Sequence, residues 1–246
     1  MPTKGRVRNG AIEFYESTTN ETVDAFAPLW FGDDFLNPSL VIPASTALES
    51  GVLWAKKIVG AAPPTLAGVA NDTNGTVLAH LTSDVQKQNA DLYQADQLVF
   101  NATQGLVFEA RIKVSVIPTL HAEAVWGVAG AWADGPDAIT YSAFFTADGS
   151  GEIFCEADDN ATDSSVTSGV TVVNTDYHVY RIDFADVTSV KFYIDGQRVA
   201  SGTTIPWAAT AANSKVQPYI SCYKVGDDAG LCDVTVDYVR LFQKRS

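Results

Sequence analysis

Along residues 106–116 apolar and polar side chains alternate: Phe108, Ala110, Ile112, Val114 and Val116 hold one parity, Glu109, Arg111, Lys113 and Ser115 the other. Successive side chains of a strand point to opposite faces, so this run predicts a strand buried on one side. A slip of one residue would bury three charges, which fixes the register. The same period recurs at 177–185, 188–195 and 231–243. Asp195-Gly196 then interrupts the alternation where a two-residue hairpin needs positive φ, and 197–202 continues it. Further strands are predicted at 11–16, 52–59, 75–82, 90–94, 97–100, 122–132, 139–147, 151–157, 168–174 and 216–225, with turn residues between them and no helical period. So many half-apolar strands without helices imply an all-β fold, two antiparallel sheets packed face to face as a jelly-roll sandwich.

Residues 1–30 stand apart from this pattern. They carry one short strand, a Thr/Asn turn and Ala27-Pro28, and read as an N-terminal β-arm preceding a body of residues 31–246. Ile12, Phe14, Val23, Phe26, Leu29 and Trp30 make the arm too apolar for a free tail, and a strand there exposes edges that can pair. The arm is therefore expected to dock, on its own body, a sister subunit or another protein. Lys4, Arg6 and Arg8 add a basic patch that suits an acidic partner; solubilising charge on a frayed end is the competing reading.

Composition narrows the partners. A formal net charge of −13 over 246 residues would repel a phosphate backbone, so nucleic acid is not expected. No apolar run approaches the ~18 residues of a membrane span, and no secretory signal is read at the N-terminus. Cys155, Cys222 and Cys232 are too few for a disulfide framework and lack metal-ligand spacing; Cys222 and Cys232 can face each other across a hairpin near Gly226, but buried thiols are the favoured reading.

Phe31-Gly32-Asp33-Asp34-Phe35, Tyr177–Ile182, Phe192–Gly196 and Val236–Leu241, in that order and spacing, resemble the concanavalin A-like lectin/glucanase jelly-roll superfamily over about residues 31–243. More narrowly, Gly10–Glu16 through Trp132–Pro136 is similar to structural proteins of tailed phages and prophages. That likeness implies a non-enzymatic virion structural protein, a capsid decoration or head-fibre component on the virion surface, assembled in the host cytoplasm. Its implied partners are capsid or other virion proteins, in a homo-oligomer, trimeric by analogy with other appendages. The alternatives within the fold are a carbohydrate-binding module for host or mucosal glycans, and a glycoside hydrolase or polysaccharide lyase.

The case for an enzyme rests on Glu152 and Glu156, which share a strand face with Phe154 between them. Retaining glycosidases need two carboxyls about 5–5.5 Å apart. The related glucanase pattern, Glu-Ile-Asp-x-Glu, has Phe154 in place of its central acid, so the expectation is that the chain is not an enzyme. His178 has only ordinary strand neighbours. Trp126 and Trp132 share a face if their strand is continuous, and with Tyr141 are the candidate sugar platform; Trp54 and Trp207 are further members, and core packing competes. No cofactor is expected. Were Ca²⁺ bound, Asp33, Asp34 and Asp237 would offer the oxygen ligands, with turn polarity the favoured alternative.

Overall fold

The computed structural model describes residues 3–8, 11–16, 29–37, 42, 53–60, 62–70, 72, 75–172, 176–207, 210, 213–226 and 229–244. In it β1 (Thr3–Arg8) and β2 (Ala11–Glu16) pair antiparallel as a separate two-stranded sheet, placing Lys4 opposite Tyr15 and Arg6 opposite Glu13. The body follows with β3 (Leu29–Asp33), β4 (Ala55–Val59), β5 (Thr65–Gly68), β6 (Val77–His80), β7 (Gln88–Tyr93) and β8 (Phe100–Asn101). Next come β9 (Val107–Val116), β10 (Ala122–Ala129), β11 (Ser142–Ala147), β12 (Glu152–Asp158) and β13 (Asp163–Thr171). The last are β14 (His178–Asp183), β15 (Lys191–Ile194), β16 (Gln197–Val199), β17 (Lys215–Lys224) and β18 (Asp233–Gln243).

These strands form two antiparallel eight-stranded sheets, as the alternation predicts. The front sheet runs β13-β12-β11-β10-β17-β7-β4 with β8 also on β17; the back sheet runs β16-β15-β14-β9-β18-β6-β5 with β3 also on β18. In β9, Phe108, Ala110, Ile112 and Val114 are buried while the intervening charged residues are half-buried, as the register argument requires; Val116 is only half-buried. Asp195 (φ 50°) and Gly196 (φ 77°) both take positive φ and turn β15 into β16. The Asp195 carboxylate also accepts from the Val179 backbone N–H at 2.8 Å, tying the turn to β14.

Between the sheets lies one large apolar interior, with Trp54, Trp126, Tyr180, Phe108, Phe145 and Phe192 among its largest side chains. Cys222 on β17 and Cys232 just before β18 meet in it, their sulfurs 3.2 Å apart. Because β17 and β18 belong to opposite sheets, the connection between them is an arch across the sandwich, which corrects the expected hairpin. The Lys224 ammonium steadies the arch, donating to the backbone carbonyls of Thr82 at 2.8 Å and Gly230 at 3.1 Å. All three cysteines are free and buried, and burial pushes the Cys155 thiol up to about 12 and the Cys232 thiol well up. Thiolate is the reactive form. Titration with a chromogenic disulfide is therefore expected to find essentially no fast-reacting thiol in the native protein and all three after denaturation under reducing-agent-free conditions.

Candidate functional site

The outer face of the front sheet carries the site. Strand parity puts Glu123 and Val125 of β10, Phe144 and Thr146 of β11, Glu156 and Asp158 of β12, and Asp163 and Ser165 of β13 on this face, while Trp126, Phe145 and Cys155 turn inward. Over β10, β17 and β7 folds the loop between β10 and β11. Its Ile139, Trp132 and Ala133 pack on Val125, Ala129, Phe144, Tyr219 and Tyr93, a second apolar cluster outside the sandwich interior.

This loop is anchored by a fully buried carboxylate. Asp91 on β7 accepts from Ser221 Oγ at 2.6 Å and from Trp132 Nε1 at 2.7 Å. Gln217 Nε2 donates to the Gly130 carbonyl at 2.9 Å and to Asp96 at 2.8 Å, and Asp96 accepts from the Trp132 N–H at 2.7 Å. Lys57 Nζ lies 4.9 Å from the centre of the Trp132 ring, and Lys87 pairs with Asp134 at 3.0 Å. Burial pushes Asp91 up to about 6 against the pull of these donors.

What the loop leaves uncovered is a cleft of about 200 Å³ over β11–β13. Five carboxyls line it: Glu123, Asp137 from the loop, Glu156, Asp158 and Asp163; Ser142, Thr146 and Ser165 add hydroxyls, and Phe144, Pro136 and Ile139 apolar surface. Burial, followed by the charges of Asp137, Glu156 and Asp148, pushes Glu123 up to about 8. Glu156 is also raised, chiefly by burial, although it accepts from Ser165 Oγ at 2.9 Å. A carboxyl that keeps its proton at neutral pH beside other carboxyls is the arrangement from which general acids are made.

The sequence candidates distribute unevenly over this geometry. Glu156 lines the cleft, but Glu152 is held by the Thr167 hydroxyl and does not; the acids that share the cleft with Glu156 are Glu123, Asp137, Asp158 and Asp163. Trp126 is fully buried against Tyr180, with ring centroids 4.7 Å apart, and cannot reach a surface ligand. β10 ends at Ala129, so Trp132 sits in the loop, and Tyr141 packs against the interior beside Gly130. The three do not form a platform, and this corrects that expectation; Trp54 and Trp207 are core as well. Asp33 accepts from Trp54 Nε1 at 2.7 Å, Asp34 pairs with Arg240 at 3.2 Å, and Asp237, at a bulge in β18, pairs with Arg111. They are spent on separate partners, and among the described residues no three His, Cys, Asp or Glu side chains converge as metal ligands. Of the arm candidates, Lys4, Arg6 and Arg8 lie on β1, Ile12 and Phe14 on β2, and Phe26 outside the described residues. Trp30 stands on β3 opposite Phe242 and is 64% exposed. Glu123 went unread, yet it is the one acid in the apolar run Ala-Glu-Ala-Val-Trp-Gly-Val-Ala, and a lone charge in a strand that is otherwise apolar marks a position where burial is tolerated for a reason.

No protein-family model matches the sequence, and no curated protein matches it. Solved structures do. A protein of unknown function from Shewanella oneidensis MR-1 superposes with a TM-score of 0.61 at 12% identity, covering 89% of this chain and 88% of that one. An endo-1,3-β-glucanase from Streptomyces sioyaensis gives 0.54 at 17% identity over 91% and 100% of the two chains. The carbohydrate recognition domain of Emp47p gives 0.54 at 11% identity over 86% and 94%. The chain has the concanavalin A-like jelly-roll fold. The expected restriction to a non-enzymatic role is corrected by these likenesses, since glycoside hydrolases such as the Streptomyces glucanase are built on the same concanavalin A-like sandwich. The resemblance to phage virion proteins is not shown by these likenesses.

Proposed function

We propose that this concanavalin A-like jelly roll takes a glycan in the cleft over β11–β13. The observation that carries the reading is the coincidence on one sheet face of an open cleft with hydroxyl and carboxyl groups that can hold sugar hydroxyls through paired hydrogen bonds. The likeness to a glucanase and a carbohydrate recognition domain supports it. A glycan array is the test: binding to at least one class of oligosaccharide, weakened about tenfold or more in Glu156→Gln with the thermal transition kept, is the expected result. Uniformly blank arrays would remove the reading.

Hydrolysis is the second reading, and Glu123 is what favours it. Held protonated at neutral pH, it can donate its proton to the departing glycosidic oxygen while an ionised Glu156 stabilises the opposite side of the sugar. Release of reducing ends from β-1,3-glucan and mixed-linkage glucan is then expected, reduced on the order of 100-fold or more in Glu123→Gln. Release that is equal in both proteins would exclude Glu123 as the acid.

A further inference from the structure

Resting on the glycan reading of the cleft, we propose that its ligand is a glycan bearing free amino groups, an oligosaccharide of glucosamine type. The argument is one of missing charge. Glu123, Asp137, Glu156, Asp158 and Asp163 all line the cleft, and among the described residues no Lys, Arg or His does. The nearest cations of the covering loop are already engaged, Lys57 over the Trp132 ring and Lys87 with Asp134. The charges that raise Glu123 are those of Asp137 of the loop, Glu156 of β12 and Asp148 beyond β11; Tyr223 of β17, which also feels Glu123, carries Lys87 over its ring at 5.6 Å.

A neutral sugar would leave this concentration of acids uncompensated, and a uronate or sulfated glycan would be repelled by it. An ammonium on the pyranose ring supplies the absent positive charge, and the ring hydroxyls meet Ser142, Thr146 and Ser165. An anionic substrate of the kind that lyases take would also need a cation to neutralise its carboxylate, which the cleft lining lacks. Binding of the ammonium favours the ionised form of its carboxyl partner, so Glu123, protonated before binding, gives up its proton to solvent as the ligand enters.

The test is calorimetric titration of the full chain at pH 6 and low salt with four tetrasaccharides: glucosamine, N-acetylglucosamine, β-1,3-glucose and a uronate. The glucosamine tetramer is expected to bind at least about tenfold more tightly than its N-acetylated counterpart, and to weaken steeply as salt is raised. Repeating the titration in buffers of different ionisation enthalpy is expected to show net proton release. Asp163→Asn should narrow the preference, while Glu109→Gln on the outer face of the back sheet should not change it. Equal or tighter binding of the N-acetylated, glucose or uronate tetramer overturns this inference and leaves the glycan reading standing. If none of the four binds and glycan arrays are blank, both fall together.

Discussion

Trp126→Ala is expected to destabilise the protein by about 3–5 kcal/mol, lowering its thermal midpoint by about 10 °C or more. The indole is 0% exposed and sits on the inner face of β10, edge-on to Tyr180 of β14 at 4.7 Å and stacked with Phe145 of β11 at 6.3 Å. It therefore spans the gap between the sheets, and its removal leaves a hole that neither sheet can close without breaking strand pairing. Trp132→Ala is a useful contrast, because it removes a half-buried ring from the loop and one hydrogen bond from Asp91 without opening the interior. Thermal unfolding followed by circular dichroism compares the two directly. A Trp126→Ala midpoint within about 2 °C of wild type would mean that the inward parity of β10 is wrong, and with it the outward placement of Glu123.

The reason that parity was hard to read in the sequence lies in β10 itself. In the back sheet, β9 and β14 bury alternate residues, so they alternate cleanly and their inner residues are legible. β10 is covered on both sides, by the interior and by the loop that carries Trp132 and Ile139, so its run is apolar at nearly every position and the period disappears. That is why Trp126 and Trp132 looked like neighbours on one face, and why the strand was expected to continue to residue 132. β13 failed for the opposite cause: as the edge strand of the front sheet it is mostly polar, Asp-Ser-Ser-Val-Thr-Ser-Gly-Val-Thr, and only its second half was found. β5 is only four residues long and directly follows Pro63-Pro64, too short a run to show a period. The hairpin at Asp195-Gly196 was legible because the turn chemistry is local. The cleft was not, because Glu123, Asp137 and Glu156 come together only through the order of strands in the sheet, and Asp91 reaches Trp132 only after that loop has folded back.

Stability is expected to fall as pH rises from about 5 to about 8, the reverse of the usual behaviour of a protein rich in carboxylates. Between 4.5, the ordinary value for its carboxyl, and about 8, where burial and neighbouring acids hold it in the folded chain, Glu123 keeps a proton that the unfolded chain has already released. Raising pH through that window favours the unfolded state, by up to about 1.4 kcal/mol per pH unit for this one group. Asp91, moved from 3.8 to about 6, acts in the same direction over the lower part of the window, and the upward shifts of Glu156 and Asp158 add to it. Asp186 and Asp195, both lowered, oppose it only below about pH 4, so the maximum should lie near pH 4. A fall in thermal midpoint of about 5 °C or more between pH 5 and pH 8 is the expected reading. Glu123→Gln replaces the acid by a neutral amide of the same shape, and should flatten the profile above pH 6 and raise the midpoint at pH 8 above that of wild type. If wild type is as stable at pH 8 as at pH 5, the acids of the cleft are not held protonated, and neither a proton donor at neutral pH nor proton release on binding an amino sugar can be drawn from them.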